Sequence, residues 1–297
     1  MRRRKWFNMS WDEKIFSIVI YFILFIAFSI TLYPLVYVAS MSVSDPTAVI
    51  NNEVKLFPVG FSLKSYKMLL ANPDVLIGFA NTVYYTVLGT LYSTAVTVLA
   101  AYVLSRKDFI LRSFFTKYFM IPMYIGGGMV PSFLLIKKLG LYDTRAAIIL
   151  PGALSTFTLV IAITYFKDFP ETLVEAAKID GYNALQIFSK VVIPTSKPIM
   201  AVVILFYAVD RWNAYFNSVL YLRTPSKQPL TVFLAKVLSS NTNSMMFGDS
   251  SDLVERSSMA LQMRYSLIMI TIIPIMMVYP FAQKYLIQGV MLGSLKE

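Results

Sequence analysis

The sequence predicts an all-α polytopic membrane protein with six transmembrane helices. Hydrophobic residues make up 57% of the 297 positions, and the mean hydropathy of +0.63 exceeds that of soluble globular chains. Uncharged runs long enough to cross about 30 Å of hydrocarbon recur along the chain. Polar, turn-rich segments separate these runs. We therefore expect a single membrane-spanning domain over residues 1–297.

The composition excludes several functions. The chain has no cysteine and no histidine, so we expect no metal site, no cofactor and no histidine general base. It also lacks the GxxxxGK[ST] pattern that cradles nucleotide phosphates, so we do not expect it to act as an enzyme that hydrolyses ATP. In so apolar a chain, the net charge of +11 indicates contact with anionic membrane lipid and not with nucleic acid.

The first half of the chain contains three predicted spans. Residues 15–41 carry no charge and follow the basic run 2–5, and their length predicts an uncleaved first helix. Residues 75–105 are rich in small side chains, which allow close helix packing, so this second span should be buried among its neighbours. The third span, 118–136, contains two prolines and the run Gly126 to Gly128. These should bend or break the helix, as a simple kink or as a break lining a cavity.

The second half holds the spans 146–166, 199–222 and 265–283, with a polar segment at 167–198 and a polar tail at 284–297. Of the 27 basic residues, 15 fall in the segments placed inside, where they concentrate next to the span ends. The positive-inside rule therefore predicts that both termini and the polar segment are cytoplasmic.

The residues of the polar segment 167–198 predict that it forms two short helices. Pro170 suits a first helical position, because its missing N–H has no helical partner there. Gly181 suits a left-handed C-cap, and Asn183 can cap a second helix. Pro194 and Pro198 should limit how far that second helix extends.

The spacing of residues in this segment carries a family resemblance. Glu175-Ala176-Ala177, three residues, Gly181, nine residues and then Val191-Val192-Ile193-Pro194 resemble the EAA loop of ABC importer permeases, E-A-A-x3-G-x9-I-x-L-P. Val191 replaces the Ile of that pattern and Ile193 the Leu, and Asp180 before the glycine is also usual. The match extends over twenty residues between two predicted spans. Further stretches at 197–203, 212–222 and 283–296 resemble the MalG-type carbohydrate permease family. The stretch 121–144 resembles the branch of that family that handles complex oligosaccharides beside lipoprotein-type binding proteins.

The resemblance implies a type I ABC importer permease fold with a cytoplasmic EAA coupling-helix loop, in the bacterial cytoplasmic (inner) membrane. The implied partners are a second homologous permease in a heterodimer, two ATPase subunits and an extracytoplasmic solute-binding protein. The implied substrate is a carbohydrate, an oligo- or polysaccharide. The residues implied to couple to the ATPase are Glu175, Ala176, Ala177, Asp180, Gly181, Ile193 and Pro194.

The fifth span contains an unusual polar group, and we take its members as candidates for the substrate pathway: Asp210, Arg211, Trp212, Asn213 and Tyr215. A charge at membrane depth normally faces a bundle interior or an aqueous path. Adjacent helical residues point about 100° apart, so the two charges should find partners outside their own helix. An ion pair with a partner subunit and a pathway-facing role both remain open, and we favour the second for one of the two. For the aromatic residues, packing is the default expectation.

Two other classes compete with this interpretation. An ion-coupled secondary transporter would use Asp210 as its coupling site, but such proteins usually carry internal repeats and none is visible. A membrane enzyme such as a glycosyltransferase would need an acidic metal-binding motif or a soluble catalytic domain, and the sequence has neither.

Overall fold

The computed structural model describes residues 10–239 and 253–294, and within these ranges the chain is helical and forms no strand. The all-α prediction is confirmed. The helices of the first half are α1 (Trp11–Val43), α2 (Pro46–Ile50), α3 (Lys64–Ala71), α4 (Pro73–Ser105), α5 (Arg112–Tyr124), α6 (Met129–Lys138) and α7 (Ala146–Ile149). Those of the second half are α8 (Thr156–Lys167), α9 (Glu171–Ile179), α10 (Ala184–Gln186), α11 (Ile193–Thr195), α12 (Lys197–Trp212), α13 (Phe216–Tyr221), α14 (Leu230–Ser239) and α15 (Leu253–Ser294). A π-helix (Ile187–Val192) joins α10 to α11, and a 3₁₀ turn (Pro225–Lys227) precedes α14.

The chain divides into two compact units. Unit 1 comprises Met1–Ala71 and Val237–Ile270, and unit 2 comprises Asn72–Lys236 and Thr271–Glu297. In unit 1, α1 begins at a capping box in which Ser10 and Glu13 each bond to the other's backbone N–H. The polar contacts that tie this unit together lie on α15, where Gln262 donates to the carbonyl of Ser44 and the hydroxyls of Ser65 and Ser266 are 2.7 Å apart.

The centre of unit 2 is α4, which packs against α8 and α12. The side chains that α4 buries are mostly small or polar and recur every three or four positions: Gly78, Thr82, Gly89, Ser93, Thr97 and Ala101 among them. At Gly78 a Cβ atom would lie 3.2 Å from the Cα of Leu230, so the glycine permits a close backbone approach. The prediction that the second span is buried among its neighbours is confirmed.

Within the described residues, three helical stretches are long and apolar enough to cross a membrane unbroken: 11–43, 73–105 and 258–280. They contain the first, second and most of the sixth predicted span. The predicted polar tail at 284–297 is not set apart as a separate element, because α15 continues through Ser294. The last three residues and the basic run 2–5 lie outside the described residues.

The third predicted span is broken at its glycines. Helices α5 and α6 meet at an angle of 118° instead of forming one helix over 118–136. Gly128 at the turn has a φ of +80°, a backbone conformation that glycine adopts without steric cost. The expected bend or break of the third span is confirmed.

The fourth and fifth predicted spans are also divided. A single helix over 146–166 is wrong, because α7 ends at Ile149 and α8 begins only at Thr156. We call residues 150–155 the fourth-span break. A single helix over 199–222 is wrong as well, because α12 ends at Trp212 and α13 begins at Phe216. A helix that stops at membrane depth leaves carbonyl groups without helical partners, so each break needs donors from elsewhere.

Candidate functional site

The polar segment 167–198, which we call the coupling segment, forms the two short helical stretches that the sequence predicted. Helix α9 begins directly after Pro170, which lies at the N-cap position, one residue before the predicted place. Gly181 follows the C-terminal end of α9 and has a φ of +80°, so the expected left-handed C-cap is present. Asn183 caps the second stretch through a capping box with Gln186, with both bonds at 2.9 Å.

The second stretch ends between Pro194 and Pro198, so the prolines limit its length as predicted. Pro194 lies within it and does not end it, because α11 runs to Thr195. A proline inside a helix clashes with the carbonyl four residues earlier, and the wider π-helix Ile187–Val192 directly before α11 relieves this crowding. The stretch ends at Ser196, where it meets α12 at an angle of 85°.

The inner face of the coupling segment is part of the main core of unit 2. Its buried residues Val174, Ala177, Ile187 and Val192 pack in one cluster with residues from the ends of α4 and α8, such as Phe166. Ala176 and Ala177 were both predicted to couple to the ATPase, but only Ala176 is exposed. At the edge of this face, Arg106 at the end of α4 donates to Glu171 at a distance of 2.5 Å. The segment is therefore fixed to the spans beneath it.

The outer face of the segment is exposed and partly apolar. Glu175, Ala176 and Asp180 lie on it, Pro194 is also exposed, and Ile193 is half-buried. Three apolar residues on this face were not predicted from the sequence: Leu173, Ile179 and Leu185. Ile179 is 86% exposed and Leu185 71% exposed. Large apolar side chains on an otherwise polar segment are the signal that could have identified them, because such patches mark sites of protein contact.

The two charges of the fifth span lie in opposite environments. Arg211 is only 7% exposed, and its guanidinium donates to main-chain carbonyls of the fourth span. The distances are 2.6 Å to Ile148, 3.4 Å to Ile149, 3.2 Å to Pro151 and 3.2 Å to Gly152. Asp210 is exposed, as the angle between adjacent helical residues implies. Since an unpaired buried carbonyl costs about 1–3 kcal/mol, Arg211 stabilises the broken helix.

The other candidates of this group divide in the same way. Trp212 is buried, donates from its indole N–H to the carbonyl of Thr271 at 3.0 Å and packs edge-on against Phe79. Asn213 and Tyr215 are exposed, and the Asn213 amide donates to the Val209 carbonyl one turn earlier. The default expectation of packing is confirmed for Trp212.

A third polar cluster joins the loop after α6 to the loop after α13. The Asp143 carboxylate accepts hydrogen bonds from the Thr224 hydroxyl and from the backbone N–H groups of Arg223 and Thr224. Lys227 lies 3.4 Å from the same carboxylate. Hydrogen bonds from Thr224, first from its hydroxyl and then from its N–H, lower the pKa of Asp143 to about 2. The carboxylate is therefore ionised at every physiological pH.

Comparison with known proteins assigns these features to a class. The family of binding-protein-dependent transport system inner membrane components matches residues 93–291. The match covers more than half of the chain and includes α8, the coupling segment and α12. The chain belongs to this family.

Individual relatives match over nearly the whole chain. The Bacillus subtilis (strain 168) polygalacturonan/rhamnogalacturonan transport system permease protein YtcP is 37% identical, over 96% of this chain and 99% of the relative. Protein LplC of the same organism is 33% identical over 90% of each chain. A chain in the crystal structure of a bacterial ABC transporter involved in the import of the acidic polysaccharide alginate is 34% identical. That match has a TM-score of 0.84 and covers 93% of this chain and 98% of the other.

The protein is therefore a permease subunit of an ABC importer with the type I fold, and it is a transport component and not an enzyme. It lies in the inner membrane and works with an ATPase and a solute-binding protein. The alternative of an ion-coupled secondary transporter with a coupling site at Asp210 is wrong, because the family and the relatives are ABC importer components.

Proposed function

We propose that the chain forms one half of a heterodimeric pathway that imports an oligo- or polysaccharide, with a second homologous permease forming the other half. Its relatives support this substrate class, since they include permeases for polygalacturonan/rhamnogalacturonan, arabinooligosaccharide and melibiose/raffinose/stachyose transport. Two ATPase subunits drive the movement, and an extracytoplasmic solute-binding protein delivers the sugar.

The observation that carries the coupling part of this proposal is the exposed outer face of the coupling segment. We propose that it docks on the ATPase through Leu173, Ile179 and Leu185, three residues that the sequence analysis did not select. Residues of the EAA pattern contribute to this docking in three ways. Glu175, Ala176 and Asp180 belong to the docking surface. Gly181 and Pro194 set the backbone conformation of the segment, and Ala177 and Ile193 pack on its inner side. Because the ATPase is cytoplasmic, we propose that this face is on the cytoplasmic side. The distribution of basic residues supports the same side for both chain termini.

We further propose that the exposed polar residues at the end of α12 line the substrate pathway. Asp210 and Asn213 are three positions apart and so lie on one side of the helix, and exposed Tyr215 follows at the break. Carboxylate and amide groups match sugar hydroxyls in hydrogen bonding, and a phenol ring can cover the apolar face of a sugar. Arg211 and Trp212 belong to the supporting structure.

The experiment is reconstitution of the complete importer in liposomes, with the binding protein and sugar outside and ATP inside. We expect ATP-dependent accumulation of an oligosaccharide such as oligogalacturonate, and no accumulation with a non-hydrolysable ATP analogue. A matched assay with a radiolabelled amino acid or peptide tests the substrate class. Uptake of the amino acid or peptide in place of every oligosaccharide tried would refute the carbohydrate assignment.

A further inference from the structure

Helix α12 holds the fourth-span break at both ends. Tyr207 and Arg211 are four positions apart and therefore point to the same side of α12. The Tyr207 hydroxyl accepts the backbone N–H of Ser155 at 2.9 Å, immediately before α8, and lies 2.5 Å from the Thr97 hydroxyl of α4. Arg211 binds the carbonyls on the α7 side of the break, from Ile148 to Gly152. One helix therefore supplies the partners for both free helix ends.

The side chain of Arg211 also packs closely against α4. The Nη2 nitrogen of Arg211 donates to the hydroxyl of Ser93, on α4, at 3.2 Å. A Cβ atom at Gly89, one turn earlier on α4, would lie 3.1 Å from the Cδ and 3.2 Å from the Nε of Arg211. Among the residues that the structure describes, no carboxylate lies within 4 Å of this guanidinium. The positive charge is thus directed at the carbonyl dipoles of the break and not at an acidic partner.

Helix α12 also continues directly from the coupling segment. Only Ser196 separates α11 from α12, and the Ser196 side chain is buried. We propose that Tyr207 and Arg211 are positioning residues that make the fourth-span break follow α12 whenever the ATPase moves the coupling segment. The inference rests on the proposed function only in taking that segment as the side where ATP-driven motion enters. A rigid attachment at two points transmits a displacement that a single hydrogen bond would absorb.

A purely structural role for these residues predicts a different result. If they only stabilise the fold, their loss lowers the yield and the melting temperature of the complex, and each assembled complex still moves one sugar for the same number of ATP molecules. If they transmit motion, assembled complexes hydrolyse ATP without moving sugar. The number of ATP molecules hydrolysed per sugar imported distinguishes the two roles, because it is measured only on assembled complexes.

The test uses the complete reconstituted importer with Arg211→Gln and Tyr207→Phe. We expect the ATP hydrolysed per sugar to rise about fivefold or more for Arg211→Gln, the lower end of typical coupling between sites. Tyr207→Phe removes one acceptor and should give a smaller rise. Tyr92→Phe, an exposed tyrosine of α4, is the matched control and should leave the ratio unchanged.

The absence of native cysteine in this subunit allows a direct measurement of the motion. Single cysteines at exposed Leu150, in the break, and exposed Val209, on α12, report maleimide labelling with and without ATP in complexes whose other subunits carry no reactive cysteine. In the parent both rates should change with ATP, whereas in Arg211→Gln only the Val209 cysteine should respond. If neither site responds in the parent while sugar is still imported, the assumed entry point of the motion is wrong and so is this inference.

Gly89→Ala provides an independent test should Arg211→Gln fail to assemble. The added methyl group displaces the guanidinium, so Gly89→Ala alone should raise the ATP hydrolysed per sugar. In an Arg211→Ala background it should add nothing, since the group it displaces is gone. Unchanged ratios in the assembled Arg211→Gln, or in both Tyr207→Phe and Gly89→Ala if Arg211→Gln does not assemble, would overturn the proposal.

Discussion

The coupling segment satisfies its helix ends with neighbouring residues, whereas the fourth-span break depends on a distant helix. In the segment, Asn183 and Gln186 cap each other across three positions. At the break, the carbonyls of Ile148, Ile149, Pro151 and Gly152 accept from Arg211, 59 to 63 positions away in sequence. The segment can therefore hold its shape while it exposes a surface to a partner. The break keeps its shape only while α12 stays packed against it.

This difference predicts opposite phenotypes for substitutions in the two regions. Changes on the outer face of the coupling segment should remove the ATPase and leave the permease stable. Changes around the break should alter the permease itself, with the ATPase still bound. The first three predictions test the coupling segment, and the last extends the comparison to the Asp143 cluster, which also joins distant parts of the chain.

The largest effect is expected from Leu185→Asp. This side chain is 71% exposed in the chain alone, and a charge buried in place of an apolar anchor at an interface should cost about 3 kcal/mol, roughly a hundredfold in affinity. Co-purification of the ATPase with the tagged permease measures the loss. The melting temperature of the permease should not change. Leu139→Asp, an equally apolar and exposed position after α6, is the control and should keep its ATPase.

A smaller loss is expected from Glu175→Ala. Glu175 is exposed and should pair with a donor of the ATPase, so its removal should weaken the complex about thirtyfold and release the ATPase at moderate salt. Glu171→Gln is the matched control, because Glu171 contacts Arg106 of its own chain. If both variants stay assembled and active at moderate salt, Glu175 serves only its own helix.

Gly181 tests whether the turn between the two stretches must keep its shape. At a φ of +80°, valine is strained by about 1 kcal/mol or more, whereas asparagine tolerates left-handed backbone better. We expect Gly181→Val to insert in the membrane but to lose ATP-driven uptake, and Gly181→Asn to retain most of it. Normal uptake by Gly181→Val would contradict the role given to this turn.

The smallest effect concerns Asp143. Because its pKa of about 2 in the folded chain lies below the ordinary 3.8, its contribution to stability is complete above about pH 4 and is lost as the pH falls toward 2. Titration of this group should therefore not affect transport between pH 5 and 8. Asp143→Asn should speed hydrogen exchange at the Arg223 and Thr224 amides at neutral pH, and unchanged exchange there would show that these loops do not depend on the carboxylate.

The features that could be predicted from the sequence depend on residues that are close together in the chain. The caps at Gly181 and Asn183 depend on residues a few positions away, and the long uncharged runs depend on composition alone, so each could be recognised without knowledge of the fold. The break in the third span was expected because glycine and proline mark it. The breaks in the fourth and fifth spans were missed, although Pro151 and Gly152 lie in one of them.

The environments of Asp210 and Arg211 could not be predicted, for a related reason. Which of two adjacent charges is buried depends on how α12 is rotated against α4, and that rotation is set by side-chain packing over the whole interface. The presence of Gly89 opposite Arg211 is visible only once the two helices are placed together. The same limit applies to Ala177, whose contact with the core depends on where α9 rests.

The 85° angle at Ser196 makes α12 a lever arm. With sixteen residues, the helix is about 24 Å long, so a tilt of about 10° at its Ser196 end would move the other end by about 4 Å. Arg211 lies at that far end, where the displacement is largest. A small rotation of the coupling segment would thus become a displacement longer than a hydrogen bond at the fourth-span break.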